Sequence, residues 1–125
     1  MSSNIEEIRN CTLLDIFLWA IRRRSRLRVT GHSMLPTLVP GDEIFADPRA
    51  YRSCPPQSGD IVTLYHPRQP ELKIIKRVDR VEPDRGCFVL GDNPAASNDS
   101  RDFGWVPYDR LLGKVVCRFD IDEPK

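Results

Sequence analysis

The sequence predicts a mainly β protein with one N-terminal amphipathic helix. From Ile5 to about Arg24 the apolar residues Ile5, Ile8, Leu14, Phe17, Leu18 and Ile21 recur at three- and four-residue steps without Gly or Pro, which is the helical period. The eleven prolines and seven glycines concentrate beyond Arg28, with short β-branched and aromatic runs between them. None of those runs alternates with a second helical pattern, so a parallel sheet is disfavoured.

The helix comes first. Glu6 and Glu7 lie near its start, and Arg22, Arg23, Arg24, Arg26 and Arg28 crowd its end, a polarity that the helix dipole favours by itself. The alternative is a helix lying in a membrane surface, with Phe17 and Trp19 inserted and the arginines on headgroups. Six strands are expected after it: Leu27 to Val29, Glu43 to Ala46, Asp60 to Tyr65, Leu72 to Val81, Cys87 to Leu90 and Leu112 to Phe119. The loop from Tyr51 to Gly59 is rich in Pro and Ser, and the polar connection from Gly91 to Trp105 is long, as loops that are functional or disordered usually are. No repeat or linker divides the chain, so its 125 residues are expected to form a single domain. Residues 1–26 would hold the helix and basic segment, 27–119 the β catalytic core and 120–125 a tail.

Charge and cysteine usage narrow the function. The formal net charge is +1, so any electrostatic preference is local. No aromatic residues interleave with the arginines as stacking platforms, which argues against nucleic acid. Cys11, Cys54, Cys87 and Cys117 form no C-x-x-C and have only His32 and His66 as company. No metal or other cofactor is expected. The start lacks the basic region of a secretory signal, so reduced thiols in a cytoplasmic monomer are expected. The apolar run from Leu13 to Ile21 is interrupted by Asp15 and falls short of the about 20 residues that span a bilayer.

The chemistry concentrates in three places. Gly31-His32-Ser33-Met34-Leu35-Pro36-Thr37-Leu38, followed by Gly41-Asp42, sets a serine in a turn. A serine becomes a nucleophile only beside a base, and two histidines and four lysines are the side chains on offer. In a strand, Ile74, Lys76 and Val78 share one face, and if it is the core side, desolvation pushes the Lys76 ammonium below its usual value of about 10.4 toward a usable amine. His32 adjoins Ser33, but adjacent side chains diverge and no carboxylate orients its ring. His66 has no evident partner. The third place, Gly91 to Gly104, packs hydroxyls, carboxylates and Arg101 into one loop. There Ser97 can place a hydroxyl against Lys76, and Asp99 can pair with Arg77 or Arg101.

These three blocks, in this order, resemble the type I signal peptidases of the S26 family: the Ser33 segment, Lys76-Arg77-Val78, and Gly91-Asp92-Asn93 through Asp99-Ser100-Arg101. The resemblance implies an antiparallel coiled β-sheet or barrel and a Ser-Lys dyad. By position Ser33 is the nucleophile, Lys76 the general base and Ser97 the hydroxyl that orients it. Asp99, Arg77 and Arg101 form a structural salt-bridge group, and Met34 and Pro36 contact substrate. Gly31 stands where many bacterial members carry a serine that helps the oxyanion hole, as in mitochondrial inner-membrane relatives with G-P-S-M.

The missing anchor and the short segment between Arg77 and Gly91 resemble the branch of nickel-type superoxide dismutase maturation proteases. A nickel superoxide dismutase precursor is therefore the expected substrate. Processing of exported preproteins is the alternative, and a catalytically silent module binding a membrane or polyanion is the rival from another class. A self-cleaving repressor would need a DNA-binding domain and an internal Ala-Gly or Cys-Gly site, and the chain has neither.

Overall fold

The computed structural model describes residues 8–119, so the expected tail and the acidic pair Glu6 and Glu7 lie outside the described residues. Within them the mainly β expectation holds. Six strands, β1 Ser25–Arg28, β2 Glu43–Asp47, β3 Ile61–Tyr65, β4 Lys73–Glu82, β5 Gly86–Leu90 and β6 Leu111–Phe119, form one antiparallel sheet in the order β1-β2-β6-β3-β4-β5. Each expected strand is present within two residues of its expected ends.

Residues of β3 alternate between two cores, which is why this strand reads as an unbroken apolar run. Ile61 joins Val29, Met34, Ile44, Ile75 and Val115 in one cluster, while Val62 and Leu64 join Val78, Val89, Phe103 and Val106 in the other. Two features of this sheet set up the site. β1 lies at the sheet edge, and β5 pairs with β4 only from Arg77 onward, so the first half of β4 has a free edge.

The N-terminal segment departs from expectation. The helix, α1, covers only Leu13–Ala20. Thr12 and Asp15 close a capping box that fixes its start, and Arg22, at φ 68, turns the chain into β1, which begins at Ser25. Residues 9–11 run extended instead, with Asn10 bridged in parallel to Arg118, because their backbone groups bond the end of β6.

That bridge corrects a second expectation. Cys11 and Cys117, 106 residues apart, meet with Cα atoms 5.0 Å apart and form a disulfide, whereas Cys54 and Cys87 are free. Burial pushes the Cys87 thiol up to about 11, which keeps it protonated and inert.

Candidate active site

Ser33 sits in a turn over residues 31–38 that is anchored from beneath by the buried side chains of Met34 and Leu38. Gly31, at φ 77, takes the left-handed conformation that lets the chain leave β1 and enter this turn. From the other side, the Asn93 backbone N–H donates to the Ser33 carbonyl at 2.8 Å and the Asn93 side-chain amide donates to the His32 carbonyl at 3.0 Å. The serine is therefore held between the β1–β2 connection and the loop after β5.

Lys76 lies on the face of β4 that also carries Ile74 and Val78, and only 4% of it is exposed. Burial lowers its pKa below the usual lysine value, the negative charge of Asp99 partly opposes that, and the Arg101 charge adds to it. Its ammonium donates to Ser97 Oγ at 3.3 Å, and Ser97 donates in turn to Asp99 Oδ2 at 2.8 Å. With its own proton committed to Asp99, the Ser97 hydroxyl presents a lone pair to Lys76, so it orients the amine in either protonation state.

Asp99 has no exposed surface. Burial works against its ionised form, yet the Arg101 guanidinium, the Gly91 N–H, the Ser97 hydroxyl and the Arg101 N–H together hold its carboxyl below the usual carboxylate range. Asp99 also caps the short helix α2, Ser100–Phe103, closing a capping box with Asp102.

The expected salt-bridge group is divided into two pairs. Arg101 bonds Asp99 through two nitrogens, whereas Arg77 forks onto Asp92 at 2.8 and 2.9 Å. Asp92 also accepts from Thr37 Oγ1 at 2.6 Å, so this pair ties β4 to the serine turn. Alternation along β4 accounts for the division: Arg77 points to the face opposite Lys76 and Ser97. Asp92, Asn93 and Thr37 lie inside the sequence blocks, but nothing local in the sequence marks their roles. The sequence offered Asp99 as the partner of Arg77 or Arg101; the structure gives Asp99 to Arg101 and pairs the half-buried Arg77 with Asp92.

Ser33, Lys76 and Met34 line one cavity of about 200 Å3, together with Leu27, Val29, Leu72 and Ile74. Its walls are the edge strand β1 and the free half of β4. Pro36 is exposed and does not line this cavity, and His32 is exposed as well. His66 is buried for a different purpose. Its Nδ1 accepts from the Arg68 N–H at 3.0 Å, which leaves the proton on Nε2 to donate to Asn98 at 3.0 Å. It thereby steadies the loop that carries Ser97.

Comparison with known proteins agrees with these blocks. The family described as "Signal peptidase, peptidase S26" matches residues 10–85 and 79–119. The chain is 36% identical over 116 residues to the mitochondrial ATP-independent inner membrane protease subunit 1a of Arabidopsis thaliana, covering 75% of this chain and 69% of that protein. It is 28% identical over 134 residues to a probable signal peptidase I-1 of Synechocystis, covering 73% and 68% respectively. Against the mouse mitochondrial inner membrane protease subunit 2 the identity is 39% over 100 residues, covering 63% and 57%. The chain thus spans between 57% and 69% of the length of these relatives.

These names overturn the expectation of a cytoplasmic protein, because relatives named for the mitochondrial inner membrane point to membrane association. The nickel-type maturation branch is not among the names. No helix of the described residues is long and apolar enough to cross a membrane.

Proposed function

The chain belongs to the signal peptidase, peptidase S26, family and is a serine endopeptidase, and from that premise we propose that it removes a leader peptide from a precursor protein with Ser33 as nucleophile and Lys76 as general base. The observation that carries the reading is a lysine buried to 4% exposure in the cavity that Ser33 lines, oriented by Ser97 and depressed by its burial.

In the proposed cycle neutral Lys76 takes the Ser33 proton and Ser33 Oγ attacks the scissile carbonyl. The lysine returns that proton to the leaving amine, then activates a water that hydrolyses the acyl-enzyme. The Ser33 N–H, which donates to no other described residue, is the proposed oxyanion donor. Gly31 offers no side-chain hydroxyl there, so a further donor has to come from elsewhere. The substrate lies extended between the free edges of β1 and β4, borrowing main-chain hydrogen bonds from them. The cavity is smaller than the about 300 Å3 at which ligand pockets usually begin, so it suits small side chains beside the cut, with Val29, Met34 and Ile74 offering apolar contact and Arg28, Thr30 and Lys73 polar contact. Asp99 with Arg101, and Asp92 with Arg77, act as ties that hold the two halves of the site in register.

Preprotein processing of the signal-peptidase kind is the favoured substrate reading, since one relative is named a signal peptidase. A nickel superoxide dismutase precursor is the second reading, resting on the short span between Arg77 and Gly91. The test incubates wild type, Ser33→Ala and Lys76→Ala with a signal-peptide-bearing preprotein and, separately, with the dismutase precursor, and reads new N-termini by mass spectrometry. Defined cleavage of the preprotein, lost in both variants, is the expected result. Cleavage of the dismutase precursor alone would replace the substrate reading. Cleavage that survives in either variant would remove the dyad.

A further inference from the structure

The cavity that Ser33 and Lys76 line is cationic. Of its eleven lining residues, Arg28, Lys73 and Lys76 are basic and none is acidic. The whole chain carries 19 lysines and arginines against 18 acidic side chains, so this excess is a local arrangement and not a reflection of composition. Arg28 ends β1 and Lys73 begins the free half of β4, so one cation stands on each wall of the channel proposed for an extended substrate.

Neither of these two cations is neutralised within the protein. Both are exposed, and neither has a carboxylate within 4.0 Å among the described residues. Glu43 lies directly across the β1–β2 pairing from Arg28, but its carboxylate bonds Arg26. The arginines that tie the site together are matched instead, Arg77 with Asp92 and Arg101 with Asp99. Distance along the strand fixes where a partner for the two cations would sit. Lys73 is three residues from Lys76 on β4, and extended chain rises about 3.3 Å per residue, so Lys73 lies about 10 Å from the cut. That is the third substrate residue from the scissile bond.

We propose that Arg28 and Lys73 determine specificity by selecting substrates with an acidic side chain about three residues from the cut. The inference rests on the peptidase reading of the site and adds a charge requirement to its preference for small side chains. A carboxylate held between the walls meets a guanidinium fork from Arg28 and an ammonium from Lys73. The competing account is that charged side chains on free strand edges guard against edge-to-edge pairing, a role that involves no choice between peptides.

Two readouts on the full chain keep selection apart from chemistry. Fluorescein-labelled decapeptides of Ser and Ala carry Ala at the expected cut and Glu, Gln or Lys three residues before or after it. Binding to Ser33→Ala is read by fluorescence anisotropy, and cleavage by wild type is read by mass spectrometry. At one of the two placements the Glu peptide is expected to bind and to be cut about fivefold or more better than the Gln peptide, with Lys the poorest and the difference shrinking in added salt. Arg28→Gln and Lys73→Gln, each checked by circular dichroism for a native spectrum, should lower that ratio. Lys73→Glu should reverse the order of the Glu and Lys peptides, which edge protection would not do. Equal cleavage of Glu and Gln peptides at both placements, or a Glu preference unchanged in the folded variants, would overturn the inference and leave the peptidase reading standing. Failure of every peptide to bind would also overturn it. Selective binding of the Glu peptide with no cleavage by wild type would uphold the charge selection and remove the peptidase reading.

Discussion

Thr37 Oγ1 donates to Asp92 Oδ2 at 2.6 Å across 55 residues of sequence, and the same carboxylate receives the Arg77 fork. One side chain thus joins the serine turn, the strand that carries Lys76 and the loop that carries Ser97. The Arg77 and Asp92 side chains are 12% and 4% exposed, so removing the carboxylate charge leaves a guanidinium with little water to replace it. Asp92→Asn is expected to lower stability by about 3 kcal/mol. Thr37→Val should cost about 1 kcal/mol while lowering turnover, because it frees the serine turn and leaves the salt bridge intact. Denaturant unfolding of both variants checks the order of the two effects.

Gly91 is the point of closest approach between the two halves of the site. A Cβ there would overlap Ser97 Oγ and lie 2.7 Å from the Ser33 carbonyl oxygen. Gly91→Ala is therefore expected to push Ser33 and Ser97 apart and reduce turnover by about a hundredfold or more, with a far-UV spectrum like wild type. A variant that keeps wild-type turnover would show that the spacing of these residues does not matter to the reaction.

Much of this was legible in the sequence because the signals were local. The strands announced themselves by apolar runs between Gly and Pro, and parity put Ile74, Lys76 and Val78 on one face, which the structure shows to be a buried one. What stayed hidden depends on distant partners. Whether Arg77 meets Asp92 or Asp99 follows from which face of β4 it occupies after the loop has folded back. The apolar period from Ile5 to Arg24 overstated the helix because residues 9–11 find better partners in the end of β6 than in a helical turn. Thr12 and Asp15 close a capping box that starts the helix at Leu13 instead.

The same pairing with β6 brings Cys11 to Cys117. Their disulfide closes a span of 106 residues, so it should restrict the unfolded chain strongly. Cys11→Ser, or reduction of wild type, is expected to lower stability by about 2 to 4 kcal/mol, read as a fall in the thermal midpoint. Cys54 is exposed and free, and Cys54→Ser should leave the midpoint unchanged. Equal midpoints with and without reductant would mean that the Cys11–Cys117 bond does not stabilise the fold.

Lys76 is held where its charge is poorly solvated, and that should cost stability. Lys76→Met fills a similar volume without a charge, and Ser97 keeps its bond to Asp99. At neutral pH this variant is expected to be more stable than wild type by about 1 to 3 kcal/mol, and inactive. The pH dependence fixes the cause. The folded-state pKa of Lys76 is lowered, so between it and the unfolded value of about 10.4 the unfolded chain holds the extra proton, and wild-type stability rises with pH across that window. The advantage of Lys76→Met should therefore shrink as pH climbs toward that value. The wild-type rate should rise over the acid part of the same window as the amine loses its proton. Unfolding measured against pH for both proteins separates this from a simple packing effect, since a packing effect would give a constant difference.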